Sequence, residues 1–391
     1  MTSSPCSSRR PLRILHVNKR YAPHIGGVET VVRQLAEGMA ARGHTATVLC
    51  MAEKASDSMR NGVRVVTIPI AATIGSAPLS LPFVNTLKIL AMEHDIVHFQ
   101  FPNPMGEIAW LLVRRYVPNV TTICTYQSDV LRPAVLVPAY SILTRRFLKS
   151  CDAIVATSPN YVRTSPVLSA LGRRIPIIPL GIDPARFERI PEEALAAAER
   201  IVSRLPHPRI LFVGRLVYYK GVDTLLKAIA PVSGASLVIA GDGPLRNSLE
   251  TLAHSLGVDS RVLFTGPLAE DIYPALFSMA DIFVLPSTHR TEAFGIVALE
   301  AMASGLPLVT TELGTATSYY NENAVTGFVV PPRDAHALAE SLSTLAGNAE
   351  LRARMGQSAR EHLKRFDLST MLDAYETLYR ATDRRPAWDH I

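Results

Sequence analysis

Two carboxylates, Glu292 and Glu300, stand either side of Phe294-Gly295 in the run TEAFGIVALEAMASG (291–305). The run is otherwise apolar, and it predicts a helix of about ten residues ending at Gly305, with Glu292 at its mouth beside the unpaired amides of residues 294–296. Amides at a helix start take a phosphate or a sugar hydroxyl. Glu300, one to two turns further on, is costly to bury without a polar partner, and ribose hydroxyls are suitable because one carboxylate accepts from both. The alternative is that both glutamates face water.

Cations come next. In VGRLVYYKGVDTLLKAI (213–229), Arg215 lies one residue beyond a strand-ending glycine, and Lys220 precedes Gly221 and the next helix. A guanidinium fork and an ammonium at the carboxyl end of a strand fit a diphosphate; the plainer reading is a solvated basic loop. In PHIGGVET (23–30), Gly26 and Gly27 open a helix whose amides can approach a phosphate, or form only a tight turn. The Gly-Asp-Gly-Pro of IAGDGPLRNSLE (239–250) reads as a turn to which no chemistry is assigned. No Asp-x-Asp pair sits beside the cations, so no metal site and no cofactor is expected.

These residues need strand ends to hold them. Short β-branched runs alternate with helical patterns: strands are predicted at 13–17, 46–50, 63–69, 95–100, 121–125 and 152–157, then at 209–214, 236–241, 261–266, 281–286 and 307–311. Between the first two, Val28, Val31, Val32, Leu35, Met39 and Ala40 share a helical face that Gly43 ends. Continuous apolar strands alternating with helices mean parallel sheets covered on both faces, and two such series mean two doubly wound α/β domains with ligands beyond the strand carboxyl ends. The expected division is 12–183, 184–365 and terminal helices at 366–391.

With 391 residues, 48% of them hydrophobic, the chain can build two cores, and its formal charge of +6 suits a phosphate-bearing substrate, an anionic membrane surface or an ordinary basic enzyme. Cys6, Cys50, Cys124 and Cys151 lack metal or redox spacing, and buried free thiols in a reducing cytosol are expected. The start MTSSPCSSRRP is polar and expected to be disordered; Arg13, His16 and Lys19 interrupt any signal-like run, and no stretch is long enough to span a membrane. Residues 71–87, broken by Pro78 and Pro82, are expected to be a buried loop and helix start, with a lipid-touching loop as the alternative.

The ordered set of the Gly-Gly loop with Glu29, VGRL…KG, GDGP and EAFGIVALEAMASGLP resembles the retaining GT-B glycosyltransferases of family 4, from about residue 12 to 370. That resemblance implies two Rossmann-like domains facing across a cleft, the first binding the acceptor and the second a nucleotide-sugar donor, with the terminal helices packing back on the first. It implies that Arg215 and Lys220 grip the diphosphate, that the Phe294, Gly295 and Ile296 backbone meets sugar and phosphate, that Glu292 holds sugar hydroxyls and Glu300 the ribose, and that Gly26 and Gly27 belong to the donor site, Gly27 approaching the β-phosphate. The segments 97–112, 125–133, 147–162, 177–183 and 313–332 resemble a bacterial branch making surface polysaccharides and lipid-linked oligosaccharides, many of its members mannosyltransferases, so GDP-mannose is the expected donor and a saccharide or polyprenyl-linked saccharide the acceptor. His98, Gln127, Asp129 and Arg132 are the acceptor-side candidates, with His98 also readable as a core histidine. Gln100 and Gln127 depart from the branch, which often has histidine at both places, one of them touching the donor sugar. An enzyme of the cytoplasm is expected, with no nucleic-acid partner; the clusters Arg114-Arg115, Arg145-Arg146-Lys149 and Arg173-Arg174 read either as solvated helix faces or as a peripheral contact with the inner membrane face. Rival readings are a GT-B sugar-nucleotide epimerase, a transferase using a UDP-sugar, a nucleotide-binding oxidoreductase and a non-catalytic sugar-nucleotide-binding partner.

Overall fold

The computed structural model describes residues 10–24, 26–74, 77–129 and 137–384; the polar start around Cys6 lies outside them. The chain forms two compact units: Met1–Ala156 with Ala170–Ile178 and Leu372–Ile391, and Thr157–Ser169 with Pro179–Met371.

The first unit is built on a seven-stranded sheet. Its strands lie in the order Ser56–Arg60, Val63–Pro69, Thr45–Ala52, Arg13–Val17, Ile96–Phe101, Thr121–Tyr126 and Ala153–Ala156. All neighbours are parallel except Ser56–Arg60, which runs antiparallel along the edge. Ile96–Phe101 and Thr121–Tyr126 are buried at every position, which is why their sequences show no polar alternation. After Arg13–Val17 the chain adds strands on one side, then crosses to the other with Ile96–Phe101, so the switch point of this sheet lies between those two strands. The helix Gly27–Ala41 buries Val31, Val32, Leu35, Ala36 and Met39. The helix Leu368–Thr382 contributes Tyr375 and Tyr379, both fully buried, to this unit.

The second unit carries six parallel strands in the order Val262–Gly266, Ser236–Ala240, Arg209–Val213, Ile282–Leu285, Leu308–Thr311 and Gly327–Val330. Its switch point lies between Arg209–Val213 and Ile282–Leu285, and the loops leaving those two strands are the ones that carry Arg215, Lys220 and Glu292.

Every strand predicted from sequence is present to within two residues at its ends. Three departures have physical causes. Residues 71–87 are neither a buried loop nor wholly a helix start: Ala72–Ile74 and Ala77–Leu79 pair as an antiparallel hairpin whose first strand is exposed, and the helix begins at Pro82. Pro78 sits inside the second hairpin strand opposite Thr73, and Pro82 opens the helix, since its fixed φ suits the first helical turn. The helix after Glu292 is Val297–Ala303, shorter than predicted, because Gly295 at φ 77° and Gly305 at φ 74° confine it from both ends. Ser56–Arg60 and Gly327–Val330 escaped sequence reading, the first because all five of its residues are exposed.

Candidate functional site

The strand Arg209–Val213 ends at Gly214, and the chain turns so that Arg215 is exposed while Leu216 is buried. The GDGP turn supports this bend backbone to backbone: Leu216 N donates to Asp242 O at 2.9 Å, and Gly214 N to Ala240 O at 2.9 Å. A Cβ on Gly241 would lie 2.2 Å from Gly214 O, and one on Gly243 would lie 2.5 Å from Leu216 O. No side chain fits between the two segments, so their glycines permit the approach.

Past the bend, the 3-10 turn Tyr218–Lys220 leads into Gly221 at φ 68°, where a Cβ would stand 2.1 Å from Pro286 O. Thr288 N donates to Tyr219 O at 2.7 Å, which fixes the Lys220 loop against the loop leaving Ile282–Leu285. The consequence is a buried ion pair. Lys220 Nζ lies 2.6 Å from Glu292 Oε2, and the two residues are 9% and 7% exposed. The Ser287 hydroxyl donates to the same oxygen at 2.8 Å. Burial draws the Lys220 ammonium down, but the Glu292 carboxylate, with Tyr219, outweighs it and holds the amine above its ordinary value. The Glu292 carbonyl accepts from Thr315 Oγ1 at 2.9 Å, so its backbone is anchored as well as its side chain.

Phe294 is buried against Tyr320 and Phe366, at ring distances of 5.6 and 6.3 Å. Gly295 turns beneath Leu285, whose Cδ2 would be 2.6 Å from any Cβ, and Ile296 caps the helix Val297–Ala303. Glu300, on that helix, accepts a 2.5 Å hydrogen bond from the Tyr273 hydroxyl. Burial pushes its carboxyl up to about 7, against the pull of Tyr273 and Arg186. The fold thus brings Arg215, Lys220, Glu292, Phe294, Gly295, Ile296 and Glu300 into one unit, at the carboxyl ends of two adjacent strands and on the helix that follows.

The remaining candidates lie in the first unit. Gly26 and Gly27 start the helix Gly27–Ala41, where the Glu29 carboxylate folds back over Gly26: a Cβ there would sit 2.2 Å from Glu29 Oε2. His98 is fully buried, with Nδ1 2.7 Å from the Tyr379 hydroxyl and Nε2 2.8 Å from Thr125 Oγ1. Burial, then His16, holds its imidazole well below the usual value, so it is a neutral core histidine in this arrangement. Gln127 Nε2 donates to Gln100 Oε1 at 2.9 Å, and Gln100 Nε2 lies 3.4 Å from His98 Nε2. The two glutamines are therefore partners across adjacent strands, joined to His98 in one chain. Tyr126 donates its hydroxyl proton to Asp129 Oδ1 at 2.9 Å. Arg132 lies outside the described residues.

Sequence reasoning missed several groups. Glu107 is buried, accepts from Asn103 N at 2.8 Å and from the Tyr140 hydroxyl at 2.6 Å, and burial raises its carboxyl to about 7. His16 sits 5.4 Å ring to ring from His98, with both ring nitrogens unsatisfied. Tyr273 gave no signal at all, since an aromatic residue at a helix start has no special pattern. Ser287 is legible only once the fold places it beside Glu292. Cys50, Cys124 and Cys151, by contrast, are the buried free thiols expected from the sequence. Among the described residues no cluster of three His, Cys, Asp or Glu side chains is placed to hold a metal ion, and no helix is long and apolar enough to cross a membrane.

Comparison with known proteins adds the following. The family model described as Glycosyltransferase Family 4 matches residues 25–186, and that described as Glycosyl transferases group 1 matches residues 197–362. The O-antigen chain mannosyltransferase C of Escherichia coli is 36% identical over 372 residues, covering 94% of this chain and 98% of that protein. The D-rhamnosyltransferase WbpZ of Pseudomonas aeruginosa is 34% identical, covering 89% and 90%. Among solved structures, the sucrose-phosphate synthase from Thermosynechococcus elongatus superposes with a TM-score of 0.80 at 23% identity, covering 95% of this chain and 99% of that one, a likeness of fold.

Proposed function

The chain belongs to the family 4 and group 1 glycosyltransferases, enzymes that move a sugar from a nucleotide-sugar donor to a saccharide or lipid acceptor, and on that premise we propose that it transfers mannose from GDP-mannose with retention at the sugar carbon. The observation that carries this reading is the buried pair Lys220–Glu292 beside exposed Arg215, at the carboxyl end of Arg209–Val213. An ammonium has three donors. One is directed at Glu292, and the others serve, with the Arg215 guanidinium, the phosphate oxygens of the donor. Glu292 Oε2 is engaged by Lys220 and Ser287, which leaves Oε1, on the side of Gly295, for a sugar hydroxyl. The amides of Phe294, Gly295 and Ile296 meet sugar and phosphate at the start of Val297–Ala303, and Glu300 accepts from the ribose.

In the transfer, the bond from the sugar C1 to the β-phosphate oxygen breaks, and the nucleoside diphosphate leaves with the bonding pair. The acceptor hydroxyl oxygen bonds C1 on the same face, and its proton passes to the departing phosphate oxygen. Negative charge grows on that phosphate as the bond lengthens. Cations already fixed in place by burial stabilise it without reorganising, so they favour the transition state over the bound donor.

The mannosyl assignment is supported by the activity of the Escherichia coli relative, and the rhamnosyl relative sets the competitor, since D-rhamnose is mannose lacking the 6-hydroxyl. We assign the acceptor side to the first unit, where Gln127 and Asp129 stand at the end of Thr121–Tyr126, and a lipid-linked saccharide is the proposed acceptor. Exposed apolar side chains on that unit, Leu81, Ile89, Met92 and Leu112 among them, support docking at a membrane surface.

The test is a thermal-shift panel of GDP-mannose, GDP-D-rhamnose, UDP-glucose and UDP-N-acetylglucosamine, followed by incubation of the best binder alone and with a mannose-ended acceptor. GDP-mannose is expected to shift the melting point most and to be consumed only when acceptor is present. A larger shift with a UDP-sugar overturns the donor assignment, and an isomerised sugar nucleotide formed without acceptor replaces the transferase by an epimerase.

A further inference from the structure

Tyr273 is the first residue of the short helix Tyr273–Ser278, and nothing in its sequence setting marks it. In the fold its ring stands edge-on to Phe277 at 5.4 Å. Phe277 is fully buried and in turn packs on Phe283 of the strand Ile282–Leu285 and on Phe187, at 6.2 and 5.4 Å. The ring is therefore held by the core of the second unit, and its hydroxyl is directed at one oxygen of Glu300, 2.5 Å away.

From this geometry we infer that Tyr273 is a positioning residue for nucleotide recognition: its hydroxyl fixes the Glu300 carboxylate in the orientation that accepts the ribose hydroxyls. The inference rests on the reading of Glu300 given above and extends it to a second residue. An ionised carboxylate has about four acceptor sites over its two oxygens. Tyr273 takes one on Oε2, which leaves Oε1 and the rest of Oε2 for two neighbouring hydroxyls. A glutamate on a seven-residue helix has several rotamers, and a short bond from an immobile ring selects one of them before the nucleotide arrives. Arg186 adds a cation to the same place: its guanidinium lies 5.9 Å from the Tyr273 ring centre and also reaches the Glu270 carbonyl at 3.3 Å and carboxylate at 3.5 Å.

The charge state of Glu300 supplies an independent readout. Burial holds its carboxyl near 7, and the Tyr273 bond opposes that rise, as does Arg186. The other charged groups on elements packed against its helix include Glu188, on the segment of Arg186, and Arg360, which is bound to the carbonyls of Ala303 and Ser304. Ribose hydroxyls bind the ionised form best, so affinity for a ribonucleotide is to rise with pH through about 7. Removing the phenolic donor withdraws a bond from the charged form and moves that midpoint upward. A residue that only fills space leaves the midpoint where it is.

The experiment compares Tyr273→Phe, which keeps the ring, with the wild-type chain by calorimetry from pH 6 to 9, using GDP and 2′,3′-dideoxy-GDP, or UDP and 2′,3′-dideoxy-UDP if the uridine nucleotide binds better. The wild type is expected to prefer the ribonucleotide. Tyr273→Phe is expected to lose about tenfold of that preference, to shift the midpoint upward and to leave dideoxynucleotide affinity unchanged. In a Glu300→Gln background the same change is expected to have no further effect. An unchanged preference and midpoint in Tyr273→Phe overturns the positioning role while leaving Glu300 on the ribose. Equal wild-type affinities for the ribo- and dideoxynucleotides overturn the ribose reading itself, and the role of Tyr273 with it.

Discussion

Lys220 and Glu292 compensate each other's charge in a place where neither meets much water, and this decides how their variants behave. Removing one partner leaves the other as a buried unpaired charge, at a cost of about 3–5 kcal/mol. Lys220→Ala is therefore expected to lower the melting temperature as well as turnover, and Lys220→Met combined with Glu292→Gln is expected to recover stability without activity. Arg215 is exposed, so Arg215→Ala is expected to keep the wild-type melting temperature and lose about a hundredfold or more in kcat. Measuring kcat and melting temperature on the same four proteins checks both statements, and near-wild-type turnover in Arg215→Ala removes it from the diphosphate. The residue types of this group were legible in the sequence, but their pairing was not. Lys220 and Glu292 are far apart in the chain, and only parallel strands in adjacent positions bring their loops together.

At the scale of elements, the loop that carries Arg215 is positioned by a turn to which no chemistry is assigned. Gly241 has φ 128° and lies so close to Gly214 that a methyl group has no room. Gly241→Ala is expected to destabilise the protein by about 1–3 kcal/mol from overpacking, with added backbone strain, and to weaken nucleotide binding by displacing Arg215. Chemical denaturation and calorimetry on one sample check it, and unchanged affinity shows that the Arg215 loop holds its place without the turn. The sequence read GDGP as a turn and could not show what it leans on. Strands were easier to read, because parallel strands covered on both faces must be continuous apolar runs: Arg209–Val213 and Ser236–Ala240, buried at every position, start where predicted and end one residue earlier. Ser56–Arg60 was invisible for the converse reason. It buries nothing, so its composition is that of a loop. The two glutamines were seen as departures from a family pattern, whereas their bond to each other appears only with strand register.

On the whole molecule, cations and exposed apolar side chains are both carried by helices of the first unit. Residues 70–151 contain the acids Glu93, Asp95, Glu107 and Asp129, of which the last three are buried and Glu93 lies 3.6 Å from Arg64. The helix Pro104–Val113 packs against both Pro82–Glu93 and Val137–Ser150; Ile89, Met92, Leu112 and Ile142 are exposed on these three helices, and the cations Lys88, Arg145 and Arg146 lie on them, with Arg115 in the turn that follows Pro104–Val113. Tyr116 lies under both Lys88 and Arg115, at 4.4 and 4.7 Å. Arg173 does not belong to this surface chemistry, since it is bound to the carbonyls of Cys151 and Asp152. At about 1 kcal/mol per cation near an anionic surface, replacing Arg115, Arg145 and Arg146 together by alanine is expected to weaken partition onto phosphatidylglycerol vesicles by about a hundredfold. Sedimentation that is equal with neutral vesicles, or unaffected by the triple change, removes the membrane reading. The opposite border of this sheet suits such an enzyme. Ser56–Arg60 ends it with an entirely hydrated strand, latched by the two-pronged Arg64–Asp57 bond at 3.0 and 2.7 Å. A rim of that kind offers a neighbouring copy little to zip onto, so on the membrane reading proposed above, copies crowded at a bilayer are expected not to join edge to edge.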